Sequence, residues 1–518
     1  MSEEIDDLFL RYGPAYRWWV TVTGMCAAFT MVLMGTVANV AVPNVMGAFG
    51  VGQDMAQFLA TAFIATMTAS QLLNSWFVAV FGSRLAFILV LILFTAGAIM
   101  CATSPSLDFI IVGRVMQGFA AGIVQPLVMV TILRVFPKER RGTAMAIYGV
   151  GLVLALGLGP VVGGITIDTL GWRYIFYVPL ILVVACIGMG AYFMPVEKRD
   201  GPRPDFDLLG YSLLCVSLFC LMWGIANGQR YGWNSNEILT YLGVGLACGA
   251  GFVSSQTRPG ASLLDLNLLR NFPFAAASLV ALVYGVGNFS TTYLIPVFGQ
   301  LVQGYTPTLA GMLLLPAAFG VILVLPVSGA LADRLRPELF IYSGFGMFAL
   351  GIFMLADSDI NTTFWYIAGF AAVGRLGMAL IMPGLMKCAL GVVAESQLNS
   401  ASGTINFFRQ IGGAFGINTL VALLERRSEM HSDMLTATQN AQNSTTLEYI
   451  RKAGDALDAT GFGQQLNDLL ATQHLSLAIE AQANTMAFQD GFLMIVVVFL
   501  FALLPVWILS RARGPAAV

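Results

Sequence analysis

The sequence predicts an all-α membrane protein that crosses the bilayer fourteen times, and three observations predict it. The 518 residues are 57% hydrophobic and 10% charged, with mean hydropathy +0.78, whereas a soluble domain carries roughly 25% charged residues. Apolar runs of 18–27 residues recur along the chain, each enough for a tilted helix across roughly 30 Å of hydrocarbon. Basic residues gather in alternate connections between those runs. The net charge of −2 gives no sign of a nucleic-acid partner. No cleavable signal peptide is expected, because the first run, Trp18 to Val42, is itself long enough to span.

The spans fall near 18–42, 55–81, 85–104, 109–133, 142–167, 172–194, 208–228, 237–256, 273–299, 308–332, 339–356, 363–386, 399–424 and 487–510. Gly304-Tyr305-Thr306-Pro307 divides one long uncharged run into two helices, because glycine and proline punctuate. Arg84, then Arg134, Lys138, Arg140 and Arg141, then Lys198, Arg199 and Arg203, then Arg258 and Arg270, then Arg334 and Arg336 mark the cytoplasmic connections. The intervening loops hold little beyond Arg173 and Arg230, so they face outward and both termini are expected to be cytoplasmic.

Residues 425–485 form a long polar segment on the outer face. Within it, Gln464 to Met486 suits an amphipathic helix with Leu466, Leu469, Leu470, Leu477 and Ile479 as its apolar positions. The segment is either a solvated loop or a docking surface for a periplasmic partner; structureless loops this long are uncommon without a function.

All seven cysteines lie inside apolar spans with no metal-ligand spacing, and both histidines, His431 and His474, lie in the polar segment. No His/Asp/Glu or Cys/His cluster falls within a span interior, so an enzyme, a metal site or a bound cofactor is not expected.

Three arginines, Arg114, Arg375 and Arg409, stand in otherwise uncharged runs, and the inner parts of the spans hold no carboxylate. An intramembrane charge costs at least roughly 2.5–3.5 kcal/mol, so it normally faces water or a partner. An all-positive set favours a pathway for negative charge. Arg375 and Arg409 are the expected contacts to an anionic or zwitterionic amphiphile, where a low dielectric strengthens the pairing. For Arg375, pairing with a backbone carbonyl is the structural alternative. Met34, Phe289, Tyr293, Phe407 and Phe408 are candidates for the apolar lining, or for plain packing.

The fourth span reads Gly113-Arg114-Val115-Met116-Gln117-Gly118-Phe119-Ala120-Ala121-Gly122. Gln117, one turn from Arg114, can bond to it or to a substrate; an arginine snorkelling to headgroups is the alternative. In the fifth span, Gly157-Leu158-Gly159-Pro160-Val161-Val162-Gly163-Gly164, Pro160 removes a backbone donor, and Gly159 and Gly163 form a small-residue face. Such a helix suits a rocking interface between two bundles, or mere close packing.

Together these two stretches resemble the motifs of the major facilitator superfamily, and in particular the antiporter motif of its drug:proton antiporters. The fourteen-span, EmrB-type branch is also resembled by Gly171-Trp172-Arg173-Tyr174-Ile175-Phe176, Asp205-Phe206-Asp207-Leu208-Leu209-Gly210 and Tyr231-Gly232-Trp233. Leu263-Leu264-Asp265-Leu266, Asn406-Phe407-Phe408-Arg409-Gln410-Ile411-Gly412-Gly413 and Glu429-Met430-His431 extend the likeness over nearly the whole chain.

Thr36, Asn39, Val40, Ala41 and Pro43 match the family's first-span pattern, but Met34 stands where its proton-carrying aspartate is usual. The cytoplasmic gating motif is degraded after span two, with Ser75 and Ala79 in place of its Gly and Asp. Its counterpart after span ten survives as Gly329, Asp333, Arg334 and Arg336. Pro179 replaces a usual asparagine. Asp108 and Asp168, near the outer ends of spans four and five, are the remaining candidates for proton exchange, or ordinary interfacial acids.

The resemblance implies two pseudo-symmetric six-helix bundles, residues 1–196 and 259–518, with residues 197–258 as a linker carrying two inserted spans. It implies inner-membrane, alternating-access export of small amphipathic compounds from a lipid environment, with proton coupling. An EmrA-like periplasmic adaptor and a TolC-like outer-membrane channel are the implied partners. An importer, or an anion exchanger without proton coupling, is the alternative that Met34 leaves open.

Overall fold

The structure, a computed structural model, describes residues 3–137, 141–196, 206–257, 263–334, 336–393, 397–440, 442–458 and 464–512. Among the described residues, the helices of the apolar part are α1 Tyr16–Val40, α2 Phe58–Phe81, α3 Ser83–Ala102, α4 Leu107–Val135, α5 Arg141–Leu170, α6 Leu180–Phe193 and α7 Leu208–Tyr231. They continue with α8 Asn236–Gln256, α9 Phe272–Leu301, α10 Leu315–Arg334, α11 Pro337–Leu355, α12 Phe364–Leu390, α13 Leu398–Ala437 and α14 Gln464–Phe501. Among the described residues, thirteen helices are long and apolar enough to cross a membrane, and the shorter apolar stretch Leu154–Leu170 lies in α5.

The expected break between the ninth and tenth spans is present. Helix α9 ends at Leu301, Gly304 takes φ +65, and Pro307 opens the short helix Pro307–Met312 that leads into α10. A positive φ carries little cost without a Cβ, and proline at a first helical position loses no needed donor.

The packing repeats with a shift of eight helices. In the first bundle α1 packs on α5 and α6, α2 on α4, and α3 on α4 and α6. In the second, α9 packs on α13 and on the α14 end, α10 on α12, and α11 on α12 and α14. Between the bundles, α2 meets α13 and α5 meets α10, so the seam is made of related pairs. Helices α7 and α8 pair with each other, and α7 lies over the α2–α13 seam. There Asn418 donates to the Met222 carbonyl at 2.6 Å and Phe58 stacks on Trp223.

Connections that follow odd-numbered helices share one face, hereafter distal. Arg173 reaches the Ser104 carbonyl (3.2 Å), Gln489 the Ser358 carbonyl (3.1 Å), and Gln229 the Glu429 carboxylate (2.6 Å). On the opposite face Arg84 donates to the Met194 carbonyl and Asn271 to that of Val392. Lys138, Arg140, Lys198, Arg199, Arg203, Asp205 and Arg258 lie outside the described residues; of Arg141, Asp333 and Arg334 only the backbone is described.

The 425–485 segment is largely helical. Helix α13 runs on to Ala437, Ser444–Asp458 forms a separate helix, and α14 begins at Gln464, well before its apolar part. His431 bonds to Asp490 at 2.9 Å and Ser428 to Asn484 at 2.7 Å, which fixes the two long helices together above the membrane part. The expected amphipathic face is turned the other way. Leu466, Leu469 and Leu477 are exposed, while Asn467, Ala471 and Ala483 are buried. Helices that approach closely need small residues between them, and these alanines supply that face.

Candidate substrate pathway at the seam between the bundles

Helix α9 carries Asn288, Ser290, Thr291 and Thr292 in an otherwise apolar run, all buried. A membrane interior offers no water to polar groups, so each needs a protein partner. Asn288 and Thr292 lie one turn apart on one face, and Arg375 of α12 meets both. Its Nη1 donates to Asn288 Oδ1 at 2.6 Å and its Nη2 to the Thr292 hydroxyl. The Thr292 hydroxyl donates in turn to the Asn288 carbonyl at 2.6 Å. Thr292 also joins the bundles, because its carbonyl accepts from Asn39 Nδ2 of α1 at 3.4 Å.

Arg409 of α13 is differently placed. It is half-buried, and its Nε has no hydrogen-bond partner. Tyr284, one turn before Asn288 on α9, lies within electrostatic reach of both Arg375 and Arg409. The next residue, Gln410, crosses the seam: it accepts from the Thr68 hydroxyl at 3.1 Å and donates to Gln71 Oε1 at 2.7 Å. Arg375, Tyr284 and Arg409 therefore bring positive charge and a phenol to one side of the seam, and polar groups of α1 and α2 form the other.

Each of the three guanidinium nitrogens of Arg114 has a partner within the first bundle. It is 0% exposed, with Nε on the Leu59 carbonyl (2.6 Å), Nη1 on Gln117 Oε1 (2.8 Å) and Nη2 on the Met34 carbonyl (3.3 Å). Its guanidinium lies 4.3 Å from the Phe63 ring centre. It does not snorkel. Met34 and Gln117 are sealed with it, and Gln117 Nε2 has no partner. The Met34 side chain fills the place of an acid, while its backbone carbonyl receives the arginine. Among the described residues, none of the three interior arginines forms an ion pair.

Tyr293 is buried, and its hydroxyl accepts from Gln53 at 3.2 Å. Phe289 packs on Gly413, and Phe408 lies edge-on to Phe407. Gly159 and Gly163 pack within their own bundle, against Thr36 and Val37 of α1. The face of α5 that meets the other bundle is made by Gly157, Pro160 and Gly164, against Ala318, Gly311 and Pro307. The contact with the other bundle expected of Gly159 and Gly163 is therefore made about a third of a turn away on the same helix. Asp168 accepts the Thr308 N–H at 2.9 Å, across the same seam. Elsewhere, a cavity of about 190 Å³ lies between α1, α5 and α6, bounded by Phe29, Leu33, Val37, Leu158, Pro179 and Leu182.

Asn288, Thr292, Tyr284, Gln410 and Glu425, whose carboxylate accepts the Asp54 N–H at 2.8 Å across the seam, are absent from the sequence-based site. The first two carried a legible signal, since polar residues four apart in an apolar helix share a face. Glu425 lies one residue beyond the expected end of its span.

Two bundles of this topology with polar and cationic groups at their seam define a carrier of small molecules. The Major Facilitator Superfamily profile matches residues 24–417, and the chain belongs to that family. It is 26% identical to the multidrug export protein EmrB of Haemophilus influenzae over 96% of each chain. It is 29% identical to the multidrug resistance protein B homolog of Mycobacterium tuberculosis, over 83% of this chain and 80% of that one. An uncharacterized MFS-type transporter of Bacillus subtilis, YhcA, is 26% identical over 90% and 88%. Among solved structures, a bacterial homolog of the human lysosomal transporter Spinster, in an inward-facing and occupied conformation, superposes with TM-score 0.57 at 16% identity. It covers 97% of this chain and 99% of its own. The protein is a multi-pass membrane transporter whose relatives include multidrug exporters.

Proposed function

We propose that this protein exports small amphipathic compounds across an inner membrane by alternating access, and that its interior favours anionic cargo. The observation that carries the proposal is the pair Arg375 and Arg409: both are half-buried, neither forms an ion pair among the described residues, and the Arg409 Nε has no hydrogen-bond partner. In a low-dielectric seam an unpaired guanidinium attracts an anion far more strongly than in water. Arg409 makes the direct contact, and Arg375, held by Asn288 and Thr292, supplies field. Asn39, Gln117, Met34, Phe289, Tyr293 and Phe408 border or support the path. The multidrug names of the relatives support export, and both termini are then cytoplasmic.

Proton coupling would use Asp108 or Asp168, with Arg114, Gly159, Pro160, Gly163, Asp333 and Arg334 serving the conformational change. Met34 favours a second reading, an importer or anion exchanger that needs no proton. The helical extension over 425–485 is the dock for an EmrA-like periplasmic adaptor, which leads to a TolC-like channel. The test is Arg409→Gln in proteoliposomes with a matched anionic and cationic amphiphile. Anion transport should fall about tenfold with little change for the cation; equal losses would sink the anion preference.

A further inference from the structure

Helix α2 ends at Phe81 and α3 begins at Ser83, with only Gly82 between them. Gly82 takes φ +74, which glycine adopts at little cost, so the helices meet at a sharp corner on the face opposite the distal one. Beside that corner a cleft of about 170 Å³ opens on the flank of the first bundle. Phe81, Gly82, Arg84, Leu85, Ile88 and Val196 bound it, and Phe81, Leu85 and Val196 are exposed. On helices that cross hydrocarbon, exposed apolar groups of this kind face lipid. Trp18, Trp19 and Tyr192, exposed at the same end of α1 and α6, mark the level at which aromatic rings meet headgroups. The cleft therefore lies where the phosphate of a lipid gives way to its acyl chains.

Arg84 is the charged residue of this wall. It is half-buried, and its Nε donates to the Met194 carbonyl at 2.7 Å, just past the end of α6. Among the described residues it forms no ion pair, and its two Nη groups have no hydrogen-bond partner. Ala79, exposed on the last turn of α2, stands where the gating motif has its aspartate. The acid expected near this arginine is thus replaced by a methyl group.

We propose that the cleft binds an anionic membrane lipid, its phosphate on the Arg84 guanidinium and the start of an acyl chain along Phe81, Leu85, Ile88 and Val196. The Nη groups left over by the Met194 bond are donors suited to phosphate oxygens. A soluble phosphate ester would gain nothing from the apolar walls. A zwitterionic lipid would bring a second cation to a face that already exposes Arg134 and Arg270, whereas an anionic one is attracted to it. Once bound, the lipid ties the end of α2 and the end of α6 to the start of α3, at the corner from which the gating aspartate is missing. The inference depends neither on the cargo nor on its coupling.

The test titrates the purified full chain with dioleoylphosphatidylglycerol and, in parallel, with dioleoylphosphatidylcholine, counting lipids on the folded monomer by native mass spectrometry. One phosphatidylglycerol should bind about fivefold more tightly than phosphatidylcholine. Arg84→Gln should bring that ratio close to one, and Arg84→Lys should keep most of it. Val196→Trp fills the cleft and leaves the arginine in place; it should lower phosphatidylglycerol binding about fivefold as well. Arg270→Gln, at an exposed basic position on the same face, should leave the ratio unchanged. Glycerophosphoglycerol, the headgroup without chains, should not compete. An Arg84→Gln protein that keeps the fivefold preference would overturn the proposal. So would equal losses for Arg84→Gln and Arg270→Gln, which mean a diffuse surface charge, or competition by the chainless headgroup, which means a soluble phosphate ester.

Discussion

Arg375 and Asn39 stand on different bundles yet meet at one residue, Thr292, whose hydroxyl accepts from the arginine and whose carbonyl accepts from the asparagine. A group that binds Arg375 therefore acts one atom group away from a bond that must break when the bundles part.

Replacing Thr292 by valine removes the hydroxyl and leaves an Arg375 donor unsatisfied in a buried position. We expect a loss of about 1–3 kcal/mol in folding stability, read as lower thermal stability in detergent. Asn39→Ala breaks only the 3.4 Å cross-seam bond and should cost under about 1 kcal/mol. Equal losses for both would mean that Arg375 finds other partners.

Arg114→Met tests whether that arginine is structural. The substitution strands the carbonyls of Leu59 and Met34 and the side chain of Gln117, all of them buried. Thermal stability should fall by an amount matching about 3 kcal/mol, while the ratio of anion to cation transport in the surviving protein stays unchanged. A shifted ratio would place Arg114 on the pathway.

The contact of α5 with the short helix Pro307–Met312 is backbone on backbone. A side chain at Gly311 would meet the Pro160 carbonyl, and one at Gly164 would meet that of Pro307. Gly311→Val should hold the distal face partly open and slow transport by about tenfold or more, because packed backbones cannot yield as side chains do. Gly403→Ala, with nothing within 4 Å, should be tolerated or stabilising by about 0.5–1 kcal/mol. Distance measurement across the distal loops distinguishes the two.

Replacing Ser444–Asp458 by a short glycine–serine link should abolish copurification of a periplasmic adaptor and spare transport in proteoliposomes. The exposed Leu447, Leu466, Leu469 and Leu477 on this extension are the contacts it would remove or disorganise. Retained adaptor binding would contradict the docking role.

The architecture was legible in the sequence because hydrocarbon imposes it. A span needs about twenty apolar residues, and Gly304 with Pro307 marks a turn with little ambiguity. Positions across the seam were harder to read. Gly159 and Gly163 look like an interface by spacing, yet Gly157 and Gly164 on the same helix hold that place, since glycine spacing shows a close approach without saying to what. Arg114 and Arg409 look alike in sequence, but all three guanidinium nitrogens of the first are hydrogen-bonded, whereas the Nε of the second is not. Glu425 was missed because an apolar-run boundary says nothing of the residue beyond it, and its partner is a backbone N–H some 370 residues away, at a separation of 371.

The proposed anion preference rests on Arg375 and Arg409, neither of which forms an ion pair among the described residues. The most direct measurement is uptake by everted membrane vesicles of two amphiphiles matched in size and apolar surface, one anionic and one cationic, with and without an imposed pH gradient. The account predicts faster uptake of the anion, driven by the gradient. Faster uptake of the cation would contradict it and make the arginines structural; anion uptake indifferent to the gradient would retain the charge preference and remove the proton coupling.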